Sequence, residues 1–378
     1  MKIALLGHGV VGSGVRQIIE ERDLKNVEIV SILVKNENEK KDDRFTTDIN
    51  TILDNSEIDT VIECMGGDEP AHSYVLKALE GGKNVISANK KMLAKHLDLF
   101  KVARANKAHL LIEASCGGGI PWFSNIRKIR RNDDIKSFSG IMNGTCNYIL
   151  SKMFNEDKGY DEALKEAQEL GYAEADPTDD VDGYDTLYKT VLSIYNIFDQ
   201  IADSDKIPVF GIRNLSDEAL KAIKEKRYTV KLLGKAERTE FGIKAYVMPH
   251  LLRKDSVFSQ VDSNLNILSV TSDYLGTASF IGQGAGSLPT GHAIIQDLED
   301  LKEKDFEKRR RKKVAKLNNE IYGRWFIVHD DISRFRKFVA EQLGEKVIIT
   351  EYCCLKDIMK IFRKYPDDKA FIAEVADD

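Results

Sequence analysis

The chain lacks most of the features that would classify it at a glance. It has only five cysteines, Cys64, Cys116, Cys146, Cys353 and Cys354. Their number is odd and they show no CxxC or histidine-paired spacing, which argues against a disulfide framework or a zinc site and fits a reducing cytoplasm. No run approaches the roughly 20 apolar residues that a membrane span needs. The opening MKIALLG has the look of a signal peptide, but its apolar run breaks at Gly7 and His8, so none is expected. An excess of one charge is also missing: 56 Lys and Arg against 61 Asp and Glu leave a formal net charge of −5. That is too mild for a nucleic-acid-binding field or an acidic disordered tail. There remain 378 residues, 42% hydrophobic, enough for two or three domains with sizeable cores.

The N-terminal half alternates strand and helix. KIALLGHGVVGSGV reads as a buried strand, Lys2 to Leu6, running through Gly7, Gly9 and Gly12 into a helix with Val10, Val11, Val15, Ile18 and Ile19 at helical spacing. Gly7 suits a tight turn, Gly9 a close approach of backbone to a pyrophosphate, and Gly12 close helix–strand packing. The pyrophosphate charge would lie at the helix N-terminus. The second strand, residues 27 to 34, ends at Lys35 without the acid that usually binds the ribose hydroxyls of NAD. Lys35, with Lys40, Lys41 and Arg44 beyond it, suits a 2′-phosphate, so NADP is favoured and NAD stays open. Strand 60–63, helix 71–80, strand 84–87, helix 91–107 and strand 109–114 continue the alternation, implying a doubly wound parallel sheet with ligands at the carboxyl ends of its strands. Lys90 falls just past such an end, and a cation there opposes the helix dipole, so it calls for another reason.

Residues 167–190, AQELGYAEADPTDDVDGYDTLYKT, are dense in acids and turn residues. Gly171 closes one helix, Pro177 forbids its continuation, and another begins after Gly183, placing Asp185 and Lys189 four apart on one face. Asp179, Asp180 and Asp182 read as turn and cap residues.

GHGVVGSGV, SANKKMLA, EASCGGGIP, GIMNGTCNYIL, AQELGYAEADPTDDVDGYD and GQGAGSLPTGHA resemble, in this order, segments of homoserine dehydrogenases, over residues 1 to about 305. The resemblance implies reversible reduction of L-aspartate 4-semialdehyde to L-homoserine with NADPH or NADH, in the biosynthesis of threonine, methionine and isoleucine. It also implies site roles. Glu174 and Asp185 would hold the substrate ammonium, Lys189 would exchange a proton with the substrate oxygen, and Lys90 would lie near nicotinamide and substrate. Gly7, Gly9, Val10, Val11, Gly12, Lys35, Lys90 and Gly284 would contact the cofactor. A structural sodium ion would be bound by the Glu113 side chain and the main-chain carbonyls of Cys116, Gly118 and Ile120. Cys116 and Cys146 stand where valine and threonine are usual, and Tyr184 and Tyr188 are larger than expected beside the catalytic positions.

The expected fold is α/β: a Rossmann-type doubly wound parallel sheet (1–139 and 284–305), an α+β substrate-binding and dimerisation domain with a mostly antiparallel sheet (140–283), a charged helical linker (306–320), and a small C-terminal ferredoxin-like, ACT-like βαβαβ domain (321–378) with its first helix over DISRFRKFVAEQL. The basic run Lys308 to Lys313 has no interleaved aromatics and reads as solvated linker, not nucleic-acid arm. The ACT-like tail lacks the usual Pro-Gly, leaving amino-acid sensing and a dimerising or vestigial role both open. The expected partners are a small-molecule substrate and a second copy of the chain, with neither nucleic acid nor membrane. An oxidoreductase acting on another amino-acid semialdehyde and a catalytically silent dinucleotide sensor are the rival readings.

Overall fold

The computed structural model describes residues 1–302 and 312–376. They form two compact units, Met1–Lys128 with Gly282–Lys312, and Ile129–Ile281 with Lys313–Asp378.

In the first unit six parallel strands lie in the order Phe45–Thr46, Glu28–Leu33, Lys2–Leu6, Thr60–Glu63, Asn84–Ser87, Leu110–Leu111. Strand order reverses between Lys2–Leu6 and Thr60–Glu63, and at the carboxyl end of such a switch point a crevice forms. The central strands are rich in buried Ile, Leu and Val, as expected of a parallel sheet. Helix Ser287–Asp300 completes the core: its Ala293, Ile294 and Leu298 pack with Ile3, Leu5 and Val15. Where one helix was expected over 91–107 there are two, Lys90–Lys95 and Leu99–Ala105. His96 leaves helical geometry between them, its ring held 2.9 Å from Asp68 Oδ1. The strand expected at 109–114 is only Leu110–Leu111, followed by a 3-10 turn, Glu113–Ser115, in which Ser115 Oγ donates to Ile112 O.

The second unit carries a sheet ordered Gly276–Gln283, Leu265–Ser272, Ile135–Ile141, Tyr228–Thr239, Gly242–Arg253, Phe371–Val375, Tyr322–Val328, Val347–Thr350, Val339–Gln342. Its spine is a long antiparallel hairpin, in register from Gly242 opposite Thr239 to Arg253 opposite Tyr228. Helix Tyr184–Phe198 lies close on this sheet over Gly234, where a Cβ would come within 2.4 Å of Thr190 Oγ1.

The C-terminal segment differs from the βαβαβ order expected of it. Residues 331–343 form a 3-10 turn, Ile332–Phe335, and a strand, Val339–Gln342, which pairs antiparallel with Val347–Thr350. Asp331 Oδ1 accepts from the Ser333 amide and hydroxyl and caps the tight turn. Phe335 still reaches the core beside Trp325, Ile327, Ile348, Leu355 and Ile358, so the apolar spacing served burial without a helix. Strand Phe371–Val375 then runs parallel to Gly242–Arg253, with His250 opposite Glu374 and Leu251 opposite Val375, making the segment an extension of the second unit's sheet. Of the expected helical linker, Lys313–Val314 is instead a short strand parallel to Gln200–Ile201. The rest of the basic run, residues 308–311, lies outside the described residues, except Lys312, which precedes that strand.

Candidate functional site

The glycine turn of the first unit has the geometry its spacing requires. Gly7 has φ +100°, and a Cβ there would press to 2.9 Å from Cys64 O. A Cβ on Gly12 would lie 2.2 Å from Gly7 O, so helix Val10–Glu21 can follow the turn only with glycine at that position. A Cβ built on Gly9 would meet nothing within 4 Å, which leaves space at the helix N-terminus for an anion. Val10 is exposed and Val11 half-buried at that end. Gly14, unremarked in the sequence, meets Ser287 O at 2.4 Å from its would-be Cβ, and Ser287 Oγ donates to Val10 O at 2.7 Å. Gly284 is brought back against Gly118, whose Cβ would stand 2.4 Å from its carbonyl carbon. Lys35 is exposed past the second strand. Of its suggested helpers, Arg44 is committed to Asp42, donating from Nε at 3.0 Å and from Nη2 at 2.7 Å, and Lys40 pairs with Glu37 at 2.8 Å.

Lys90 opens helix Lys90–Lys95, half-buried, directly after Asn89, whose side chain accepts from the Met92 amide.

The Glu113 carboxylate is engaged by backbone and hydroxyl donors. Its Oε1 accepts from the Phe123 amide at 2.9 Å, and its Oε2 from the Ser124 amide at 2.8 Å and hydroxyl at 2.6 Å. The carboxylate thus caps the first turn of helix Trp122–Ile129. Burial pushes it up, against the pull of Ser124 and Arg127, and pushes Asp297, which accepts from the Glu113 amide, well up. Among the described residues no group of three or more His, Cys, Asp or Glu is placed to hold a metal ion. Cys116, Gly118 and Ile120 follow as a buried turn, in which Ile120 O accepts from the Trp122 amide.

In the second unit the four-residue spacing becomes a contact. Gly183, at φ +90°, turns the chain into helix Tyr184–Phe198. On its first turns Lys189 Nζ lies 2.7 Å from Asp185 Oδ2 and donates to Met142 O at 2.5 Å. Both side chains are buried, 7% and 3% exposed. Two residues outside the expected catalytic set, Asn143 and Asp180, complete the arrangement. Asn143 Nδ2 donates to Asp185 Oδ2 at 2.8 Å and to Asp180 Oδ1 at 2.6 Å, while its Oδ1 caps helix Gly144–Asn155 by accepting from the Cys146 amide. The Asn-Gly pair before a helix was the signal available for Asn143; Asp180 was set aside as a turn residue. Two of the three N–H donors of Lys189 are thereby taken, and among the described residues nothing takes the third. Glu174 stands exposed in the same unit, its carbonyl accepting from Gln168 Nε2. Arg213 pairs with Asp182 through both Nε and Nη2. Tyr184 is exposed and Tyr188 buried.

A switch-point glycine turn together with a buried lysine–carboxylate pair on a separate unit defines a nicotinamide-dinucleotide-dependent oxidoreductase. The family model for homoserine dehydrogenase matches residues 121–298, and that for the homoserine dehydrogenase NAD-binding domain matches residues 7–113. A homoserine dehydrogenase of Bacillus subtilis is 32% identical over 97% of this chain and 95% of its own length; one of Lactococcus lactis is 35% identical over 81% and 75%. Among solved structures, a homoserine dehydrogenase from Thiobacillus denitrificans superposes with a TM-score of 0.88 at 29% identity, covering 100% of this chain and 98% of the other. One from S. aureus does so at 0.76 and 32%, covering 99% and 98%. The chain belongs to the homoserine dehydrogenase family.

Proposed function

We propose that this chain reduces L-aspartate 4-semialdehyde to L-homoserine reversibly, with NADPH preferred over NADH. The observation that carries the chemistry is the buried Lys189, clamped by Asp185 and Met142 O with one donor left over. When bound, the nicotinamide supplies or accepts the hydride at the substrate's carbonyl carbon. Reduction leaves negative charge on the oxygen, and the spare N–H of Lys189 stabilises that charge and then gives up a proton. Asp185, held by Asn143, fixes the ammonium in place and with Glu174 binds the substrate's own ammonium. Lys90 is the second lysine that the resemblance implies close to nicotinamide and substrate. The cofactor rests on Gly7, Gly9, Val10, Val11, Gly12 and Gly284, with Lys35 toward a 2′-phosphate.

The same reading includes a structural sodium ion held by the Glu113 side chain and the main-chain carbonyls of Cys116, Gly118 and Ile120. Glu113 caps helix Trp122–Ile129 with three accepted hydrogen bonds, which leaves one of its roughly four lone-pair sites for a cation, and no catalytic step is derived through the ion. A cytoplasmic homodimer is part of the same reading. It rests on the resemblance drawn above and, for the dimer, on the exposed Tyr274, Leu275 and Ile281. The test is an absorbance assay with homoserine and NADP or NAD. Reduced nicotinamide forming with homoserine supports the reading; signal only with another amino alcohol moves the substrate assignment, and none with any substrate ends it.

A further inference from the structure

Glu63, the last residue of strand Thr60–Glu63, takes no part in the chemistry above, yet it is fully buried. Its Oε2 accepts from Ser87 Oγ at 2.5 Å, and its Oε1 accepts from the Met65 amide at 2.8 Å and from Asn89 Nδ2 at 3.3 Å. Ser87 Oγ in turn accepts from the Asn89 amide at 3.1 Å. Asn89 Nδ2 also donates to Gly67 O at 2.7 Å, and its Oδ1 accepts from the Met92 amide at 3.1 Å. One carboxylate thus ties together the turns that leave two neighbouring parallel strands at their carboxyl ends. A buried carboxyl is costly, and burial pushes this one up despite its donors. A hydrophobic residue would serve the sheet better, so what Glu63 supplies is geometry: it orients Asn89, the cap of helix Lys90–Lys95.

We propose that Glu63 is a positioning residue for Lys90, fixing through Ser87 and Asn89 the backbone from which that lysine projects. The inference rests on the role given to Lys90 above. It explains how a cation is held at a helix N-terminus, where the dipole opposes it: the position is set by a buried network at the preceding residue.

A double-mutant cycle tests it on the full chain. Glu63→Gln presents an NH2 where one oxygen now accepts, so either the Ser87 hydroxyl or the Met65 amide loses its acceptor. Misplacing Lys90 in this way should lower kcat about 10- to 100-fold, and Ser87→Ala, a milder cut in the same network, should lower it in the same direction. In a Lys90→Met background both changes should alter kcat less than about 3-fold, because there is no ammonium left to place. Rates are normalised to folded enzyme by circular dichroism, so a merely structural role would appear as equal, additive losses in both backgrounds. Additivity, or parent-like kcat in both Glu63→Gln and Ser87→Ala while Lys90→Met is impaired, would overturn the positioning role and leave Lys90 standing. A Lys90→Met enzyme with parent kcat would instead remove the reading on which the inference rests.

Discussion

Lys189 and Asp185 depend on each other in a way that shapes how their variants should be read. Removing the lysine leaves a buried carboxylate without its cationic partner, a loss of about 3–5 kcal/mol in stability for buried pairs, alongside the chemical loss. Lys189→Ala is therefore expected to melt earlier and to turn over roughly 10² or more times slower, with cofactor affinity, read by quenching of protein fluorescence, nearly intact. Parent-level turnover would remove Lys189 from the mechanism. Glu174 makes a useful contrast because it is exposed: Glu174→Gln should raise KM for homoserine while leaving the melting temperature within a degree or two, whereas Asp185→Asn should move both. A shift in melting temperature without a change in KM would show that Glu174 does not meet substrate. At Lys35, replacement by Ala should raise KM for NADPH more than for NADH; equal changes would count against a 2′-phosphate contact.

At the scale of elements, the docking of strand Phe371–Val375 on Gly242–Arg253 turns on Glu374. Burial would raise its carboxyl, but His250, Lys235 and the Tyr246 hydroxyl hold it far below the ordinary carboxylate range. Tyr246 donates to Oε2 at 2.7 Å; His250 Nε2 lies 2.7 Å from the same oxygen, a close contact whose alignment falls outside hydrogen-bond geometry. Glu237 and Tyr352 also face Tyr246. A carboxyl depressed on folding adds stability above its unfolded value near 4.5 and loses it as the pH falls toward the folded value. The melting temperature of the parent should therefore fall more steeply below pH 4.5 than that of Glu374→Gln, which starts lower at pH 7; parallel curves would deny the carboxylate this role. What the sequence made legible follows from range. The Gly7–Gly9–Gly12 turn and the Asp185–Lys189 pair are local patterns, and their geometry is the one their spacing implies. Asn143 and Asp180 meet only across 37 positions, and Glu63 reaches Asn89 across 26, so neither contact leaves a periodic trace. The tail was misread for a related reason: Ile332, Phe335 and Val339 fit a helical face, but a capped 3-10 turn followed by an edge strand buries the same side.

For the molecule as a whole, the C-terminal segment cannot be treated as a detachable sensor. Tyr246 and Met248, on the central hairpin, share one core with Trp325, Phe335, Ile358 and Ile372. Ending the chain at residue 312 would bare this apolar surface and an unpaired strand edge. The truncated protein is expected to lose several degrees of melting temperature or to aggregate, judged by calorimetry and light scattering before any inhibition by threonine is compared. A truncated form as stable as the parent would show that the segment adds nothing to the sheet.

The contact between Gly14 and Ser287, with Gly291 approaching Gly14 and Val15 just beyond, also orders events in time. The dinucleotide unit's strand Lys2–Leu6 leaves the ribosome well before the helix that closes its core, which ends at Asp300. Throughout synthesis of the intervening stretch, Ile3, Leu5 and Val15 lack the Ile294 and Leu298 that cover them in the finished protein. Neither unit is complete early: the nucleotide cradle waits for helix Ser287–Asp300, and the second unit waits longer still, for strands Tyr322–Val328 and Phe371–Val375, so both need protection while the chain is made.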